Sequence, residues 1–135
     1  MTPDSELFIG LMSGTSLDGV DGVLAELPAL RVRAYAHRPM PLALRAELLA
    51  LNTPGDNELH RAALAGTALS RAYAEVVHTL LQRSGHPASA IRAIGAHGQT
   101  VRHRPQEFDG TGYTLQLGNP ALLAELTGIT VVADL

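Results

Sequence analysis

Two short apolar runs, Leu7 to Met12 and Val20 to Leu27, are joined by the stretch SGTSLDGVD, Ser13 to Asp21, which places two glycines, three hydroxyls and two aspartates in nine residues. Apolar runs of this length bounded by turn residues read as buried strands. Asp18-Gly19 is a hairpin dipeptide, so the chain is expected to open as a β-hairpin with an unusually polar connection. Any fold assigned to the remainder has to accommodate that hairpin at its start.

The rest of the chain alternates strands with helices. Arg31 to His37, with Val32, Ala34 and Ala36 alternating with Arg33 and Tyr35, predicts a third strand ended at Pro39 and Pro41. Leu42 to Leu51 is rich in Leu, Ala and Glu and predicts a helix, broken by Asn52-Thr53-Pro54-Gly55-Asp56. From Asn57 to Arg83, the positions Leu59, Ala63, Ala68, Leu69, Ala72, Val76, Leu80 and Leu81 predict a long amphipathic helix stopped by Gly85. His60 and His78 are read as solvated or half-buried residues of that helix. Ala90 to Ala96 predicts a strand that ends in His97-Gly98-Gln99-Thr100, and Arg102 to Gly112 is read as a basic exposed loop. Tyr113 to Leu117, then Asn119 as N-cap with Pro120 at the first helical position, then Ile129 to Ala133, predict a β-α-β crossover of parallel strands. The expected class is α/β, a mixed sheet with an opening β-hairpin and flanking helices.

Composition excludes several chemistries. The chain has 135 residues, is 46% hydrophobic and carries a net charge of −3, which suits one domain and offers no basic stripe for nucleic acid. It has no cysteine, so thiolate metal sites and disulfides are ruled out. No apolar run approaches the length that spans a bilayer, and no leader pattern opens the chain; a cytoplasmic location is expected. All ten basic residues are arginine. Without lysine there is no Walker-type phosphate loop, no Schiff base and no kinase-type lysine ion pair.

Polar residues collect just after strands: Thr15, Ser16 and Asp18 after the first, His97, Gln99 and Thr100 after another, Asn119 and Asp134 after later ones. Open α/β sheets bind ligands at those strand ends. In the first group, glycine permits close approach of the backbone, and consecutive N–H groups with nearby hydroxyls form an anion nest. Aspartates beside phosphate imply an intervening cation, which for Mg²⁺ means one or two carboxylates plus phosphate oxygens. The structural alternative is that Asp18-Gly19 shapes the hairpin while Ser13, Thr15 and Ser16 satisfy local backbone groups. His97-Gly98-Gln99-Thr100 offers a ring nitrogen pair, an amide and a hydroxyl, suited to a sugar more than to a metal, because His97 and His103 lack acidic or thiolate partners at ligand spacing.

The blocks LFIGLMSGTSLDGVDGVL, IGAHGQTVRHRPQ and GYTLQLGNPALLAELTGITVVAD resemble the N-terminal part of the 1,6-anhydro-N-acetylmuramic acid kinases, members of the hexokinase and actin superfamily. The resemblance implies the N-terminal domain of an actin-like ATPase with a ribonuclease H-like core. It also implies ATP-dependent phosphorylation of the anhydro sugar with hydrolytic opening of its ring, giving N-acetylmuramic acid 6-phosphate in peptidoglycan recycling. Carried over by residue, it implies that Gly14, Thr15, Ser16, Leu17, Asp18, Gly19, Val20 and Asp21 form the ATP phosphate segment. Asp18 and Asp21 would then attend Mg²⁺, His97, Gln99 and Asn119 would face the sugar, and Asp134 would lie near the cleft. Family members are longer, and this chain stops at Leu135 inside a motif that continues in them, so the catalytic base that the resemblance implies is expected beyond Leu135. The expectation is one lobe, residues 1–135, of a two-domain kinase, without the second lobe or that base, inactive alone, with an uncovered apolar face that would favour aggregation or a homodimer. The alternative is a non-catalytic sugar- or phosphate-binding module.

Overall fold

The computed structural model describes residues 3–135. Strands β1 (Glu6–Ser13), β2 (Gly19–Leu27) and β3 (Arg31–Pro39) form an antiparallel meander. Helices α1 (Leu42–Ala50) and α2 (Glu58–Ser84) follow, then β4 (Ile91–Ala96), the hairpin β5 (Gln99–Pro105) and β6 (Gly112–Leu117), helix α3 (Pro120–Thr127) and β7 (Val131–Ala133). The main sheet has five strands in the order β3-β2-β1-β4-β7. Strands β4 and β7 run parallel to β1, so the sheet is mixed, as expected for the N-terminal domain of an actin-like ATPase.

Burial follows the period-2 alternation of β1, where Leu7, Ile9 and Leu11 are buried and face α2. Helix α2 meets them with Leu69, Tyr73, Val76, Val77 and Leu80, all close to fully buried. The approach is tight at Gly22, where a Cβ would lie 2.5 Å from Val76 Cγ1. Arg83 Nη1 donates to the Tyr35 carbonyl at 2.7 Å and Arg38 pairs with Glu75 at 2.6 Å, which fastens β3 to the same helix. The other face of the sheet is open, with Met12 52%, Tyr35 54% and Val132 47% exposed.

Four sequence expectations need correction. The segment Arg102 to Gly112 is not one loop. Strand β5 runs to Pro105 and pairs with β6 as a separate two-stranded sheet, and only the tip is a loop, closed by Asp109 Oδ1 accepting from Thr111 N (3.0 Å) and Gly112 N (2.8 Å). Its basic side chains are spent on partners: Arg102 reaches Glu58 and the Leu51 carbonyl, and His103 Nδ1 lies 2.8 Å from Thr114 Oγ1. Next, β6 and β7 do not pair. Strand β7 lies parallel to β4, Ile94 against Val131, so the crossover starts at β4 and carries the β5–β6 hairpin together with α3, more span than so short a helix provides alone. Within α2, Leu59, Ala63 and Ala68 are exposed; the buried stripe is displaced from them and runs through Ala65, Leu69, Ala72 and Tyr73. Val32 is 58% exposed, because a register shift between Leu24 and Ala25 interrupts the inward alternation that Ala34 and Ala36 keep. His60 and His78 are exposed on α2.

Candidate functional site

The loop between β1 and β2 is shaped by its one large apolar residue. Leu17 is 3% exposed and has φ of 57°, an unfavourable backbone for a leucine, held because its side chain is drawn into the core while Leu17 N bonds the Gly14 carbonyl at 3.1 Å. Burying Leu17 turns Thr15, Ser16 and Asp18 outward, and all three are exposed. Ser16 Oγ donates to Asp18 Oδ1 at 3.1 Å. Leu17 and Val20, both buried, can offer a ligand only main-chain groups. A Cβ on Gly14 would meet only Ser16 Oγ, at 4.0 Å, so this side of the loop is open space. Gly19 is different: a Cβ there would lie 2.5 Å from the Arg38 carbonyl and 2.7 Å from His37 Nε2.

Asp21 projects from β2 onto the open face. Its Oδ1 accepts from Tyr35 Oη at 2.7 Å and from His37 Nδ1 at 2.8 Å. The Tyr35 hydroxyl first, and His37 after it, hold the Asp21 carboxyl below the usual carboxylate range, and the same bond pushes the Tyr35 hydroxyl up. Asp21 is therefore engaged within the sheet, whereas the Asp18 carboxylate, among the described residues, accepts only from its loop neighbour Ser16.

The β4–β5 elbow lies directly beside this loop. His97 N donates to the Leu11 carbonyl at 3.0 Å, Ser13 Oγ donates to the Gly98 carbonyl at 3.4 Å, and Gln99 Nε2 donates to the Gly14 carbonyl at 3.2 Å. Tyr73 Oη, whose phenol is pushed up by burial and stays protonated, is 3.1 Å from Ser13 Oγ. Gly98 has φ of 78°, and a Cβ there would lie 2.6 Å from the Leu117 carbonyl, so glycine is required for β5 to fold back beside β6.

Past the elbow is a cleft of about 180 Å³ whose polar lining includes Ser70, Tyr73, His97, Gln116, Asn119 and Asp134. His97 Nδ1 is 3.0 Å from the Gly98 carbonyl, which can only accept, so Nδ1 carries the proton and Nε2 is the acceptor edge in the neutral ring. Gln116 Nε2 stands 3.3 Å from His97 Nδ1, 3.4 Å from Nε2 and 3.3 Å from the His97 carbonyl, while Gln116 Oε1 accepts from Thr100 Oγ1. Asn119 caps α3 by accepting from Leu122 N at 3.1 Å, and its own N–H bonds Ser70 Oγ at 2.8 Å. Under it, α2 approaches closely: a Cβ on Gly66 would lie 3.2 Å from Gly118 N. Asp134, with φ of 59°, is exposed at the cleft's edge.

The structure thus brings together His97, Asn119 and Asp134. Gln99 does not join them, which corrects its reading as a sugar-facing residue. It is 1% exposed, its amide is spent on the Gly14 and Thr100 carbonyls, and its Oε1 has no partner among the described residues. Gln99 links the loop to the elbow. The catalytic base expected beyond Leu135 falls outside the described residues. Leu135 itself does not enter the cleft at Asp134. Its exposed side chain lies over β4 on the open face of the sheet, with Cδ1 3.8 Å from where a Cβ on Gly95 would sit.

Ser70, Tyr73 and Gln116 escape a reading of the sequence. Ser70 is detectable as a polar residue inside the buried stripe of α2, whereas Tyr73 and Gln116 look like ordinary helix and strand residues. Among the described residues, no group of three acidic, histidine or cysteine side chains could hold a metal by itself. No helix there is long and apolar enough to cross a membrane.

Comparison with known proteins gives the family. Residues 6–135 match the family model for anhydro-N-acetylmuramic acid kinase. The kinase of that name from Variovorax paradoxus is 73% identical over 131 residues, covering 96% of this chain and 35% of the relative. The one from Albidiferax ferrireducens is 67% identical over 132 residues, covering 96% and 34%, and the one from Bordetella pertussis is 62% identical over 130 residues, covering 95% and 33%. The chain therefore spans about a third of the length of the curated relatives it matches. With a match across nearly all of its residues and with the mixed sheet and flanking helices in place, the chain belongs to the anhydro-N-acetylmuramic acid kinase family.

Proposed function

We propose that this chain supplies the ATP phosphate loop and part of the sugar cleft of a kinase that phosphorylates 1,6-anhydro-N-acetylmuramic acid while water opens the anhydro ring, giving N-acetylmuramic acid 6-phosphate. The observation that carries the reading is the joining of two half-sites. The open loop Gly14–Asp18 and the cleft-lining elbow at His97 share the bonds of Ser13 and Gln99, so phosphate and sugar would be held on one rigid frame. Phosphoryl transfer needs positioning and charge neutralisation more than covalent help from the protein, and fixed N–H groups and hydroxyls provide both.

In this reading the main chain of Gly14 to Gly19 and the hydroxyls of Thr15 and Ser16 bind phosphate oxygens. The donor set fits a hard cation shared with phosphate: Asp18 is exposed and, among the described residues, takes one donor, the Ser16 hydroxyl, so it would hold Mg²⁺, with Asp21 behind it fixing the strand. Bound Mg²⁺ would neutralise charge on the transferring phosphoryl group. His97, whose ring is held between the Gly98 carbonyl and the Gln116 amide, would border the sugar together with Asn119 and Asp134. Gln99 acts through the loop. Turnover also needs a base for the attacking water, which the family resemblance places outside residues 1–135.

The test is an amide NMR titration of the chain with Mg-ATP and, separately, with the anhydro sugar. Nucleotide is expected to shift Gly14 to Asp21, and sugar to shift His97 to Thr100 and Asn119. A spectrum indifferent to both ligands overturns the reading.

A further inference from the structure

We propose that the cleft past the β4–β5 elbow takes the neutral acetamido group of the sugar and not its lactyl carboxylate, with the Ser70 hydroxyl donating to the amide carbonyl. The inference rests on the sugar reading of that cleft and says which substituent enters it.

The cleft runs from an exposed rim to a buried floor. Asp134, Gly118 and Pro120 are exposed, whereas Ser70, Tyr73, Ala96 and Leu123 line the same space and are buried. What the floor offers decides the group that can reach it. Ser70 Oγ accepts from Asn119 N at 2.8 Å, a bond that uses the oxygen and leaves the O–H to donate. Tyr73 is engaged with Ser13, whose own hydroxyl donates to the Gly98 carbonyl. One donor beside the apolar side chains of Leu123 and Ala96 matches an acetamido group, in which a carbonyl oxygen stands next to a methyl. Burying that methyl adds apolar contact that a hydroxyl on the same ring carbon does not give.

A carboxylate meets the opposite conditions. All ten basic residues of the chain are arginine, and none lines the cleft, while Asp134 sets a like charge at its edge. The start of α3, which in other settings seats an anion, is closed to one. Pro120 has no N–H, Leu122 N donates to Asn119 Oδ1, and Leu123 N bonds the Asn119 carbonyl. A charged group entering here would lose hydration without a partner that replaces it.

The probes are 1,6-anhydro-N-acetylmuramic acid, 1,6-anhydro-N-acetylglucosamine, which lacks the lactyl group, and 1,6-anhydroglucose, which also has a hydroxyl in place of the acetamido group. Each is titrated into the methyl-labelled chain and followed by NMR. We expect the first two to bind within about threefold of each other and the third at least about tenfold more weakly. The acetyl methyl should show NOEs to the Leu123 methyls. If losing the lactyl group costs more than losing the acetamido group, the carboxylate is what the cleft reads and the assignment falls. Equal binding of all three leaves the sugar cleft standing and overturns the acetamido assignment. This series needs no variant. Ser70→Ala adds a second check: it should weaken the two acetamido sugars and leave 1,6-anhydroglucose as it was. Equal weakening of all three would mean that Ser70 only supports Asn119, and its role as a reader of the amide is overturned. A parent chain that binds none of the three removes the sugar cleft, and this assignment with it, whatever Mg-ATP does at the loop.

Discussion

Two neighbouring strands of the sheet, β1 and β4, end in polar stretches of similar composition that do opposite things. After β1, Gly14-Thr15-Ser16 faces outward with its hydroxyls exposed. After β4, Gly98-Gln99 is buried, and its donors are consumed by the carbonyls of Gly14 and Thr100. Glycine, hydroxyl and amide content alone does not separate them. What separates them is where the chain goes next: β1 turns back in its own plane into β2, whereas β4 must leave the main sheet to begin the β5–β6 hairpin, and that exit covers its elbow. Polar residues at a strand end are available to a ligand only when no further element folds over them.

The largest effect should come from comparing the two glycines. Gly98→Ala puts a Cβ 2.6 Å from the Leu117 carbonyl at a residue whose φ is 78°, so backbone strain and overpacking act together. We expect a loss of about 2–4 kcal/mol in urea unfolding. Gly14→Ala meets only Ser16 Oγ at 4.0 Å and should stay within about 0.5 kcal/mol of the parent while weakening Mg-ATP binding. Equal destabilisation by the two would mean that the loop is as structural as the elbow, and the contrast would be lost.

A smaller effect tests the bond between the regions. Gln99→Met keeps the length and burial of the side chain but deletes its donation to the Gly14 and Thr100 carbonyls, and it also removes an oxygen that has no partner among the described residues. The opposing terms leave a net cost of about 1–2 kcal/mol. Amide exchange should quicken from Thr15 to Asp18, where the loop loses its tether. Exchange that quickens only around Thr100 would show that Gln99 serves the elbow alone.

The strands, the helices and the opening hairpin are legible in the sequence because each is written locally, in alternation, caps and turn residues. Asn119-Pro120 and Gly85 mark ends that the structure keeps. The parts that are not legible depend on partners distant in sequence. The Arg102–Pro105 strand is polar on both faces, because its arginines and His103 pair with Glu58, Glu107 and Thr114, and hydrophobic periodicity cannot register such a strand. The pairing of β7 with β4 in place of β6 is likewise a matter of topology. In the site, the open loop can be named from composition, but Gln99 reads as a ligand-facing amide because nothing local reveals that the Gly14 carbonyl stands 3.2 Å away. Nothing local sets Asp21 apart from Asp18, because Tyr35 and His37 reach Asp21 through the register of β2 and β3.

That last cluster gives the smallest effect and separates the two carboxylates of the loop segment. Tyr35, ahead of His37, holds the Asp21 carboxyl below its usual range, so the bond contributes stability above the ordinary carboxylate range and loses it as pH falls from there through the lowered value. At the other limit the Tyr35 hydroxyl is pushed up by the same partner, so its contribution is present below the ordinary phenol range and is lost as pH rises through the raised value. Asp21→Asn should therefore flatten both limbs of the stability-against-pH curve. The acid limb amounts to under about 1 kcal/mol, since the Asp21 side chain is 49% exposed and solvent screens the pair. Asp18→Asn should change the curve far less, because among the described residues Asp18 makes no bond to Tyr35 or His37 and acts on the Tyr35 phenol only through its charge, the smallest of the causes that push it up. Thermal melts from acid to alkaline pH for the two variants decide the matter: if Asp18→Asn flattens the curve and Asp21→Asn does not, then Asp18 is the structural carboxylate and Asp21 the one left for a cation.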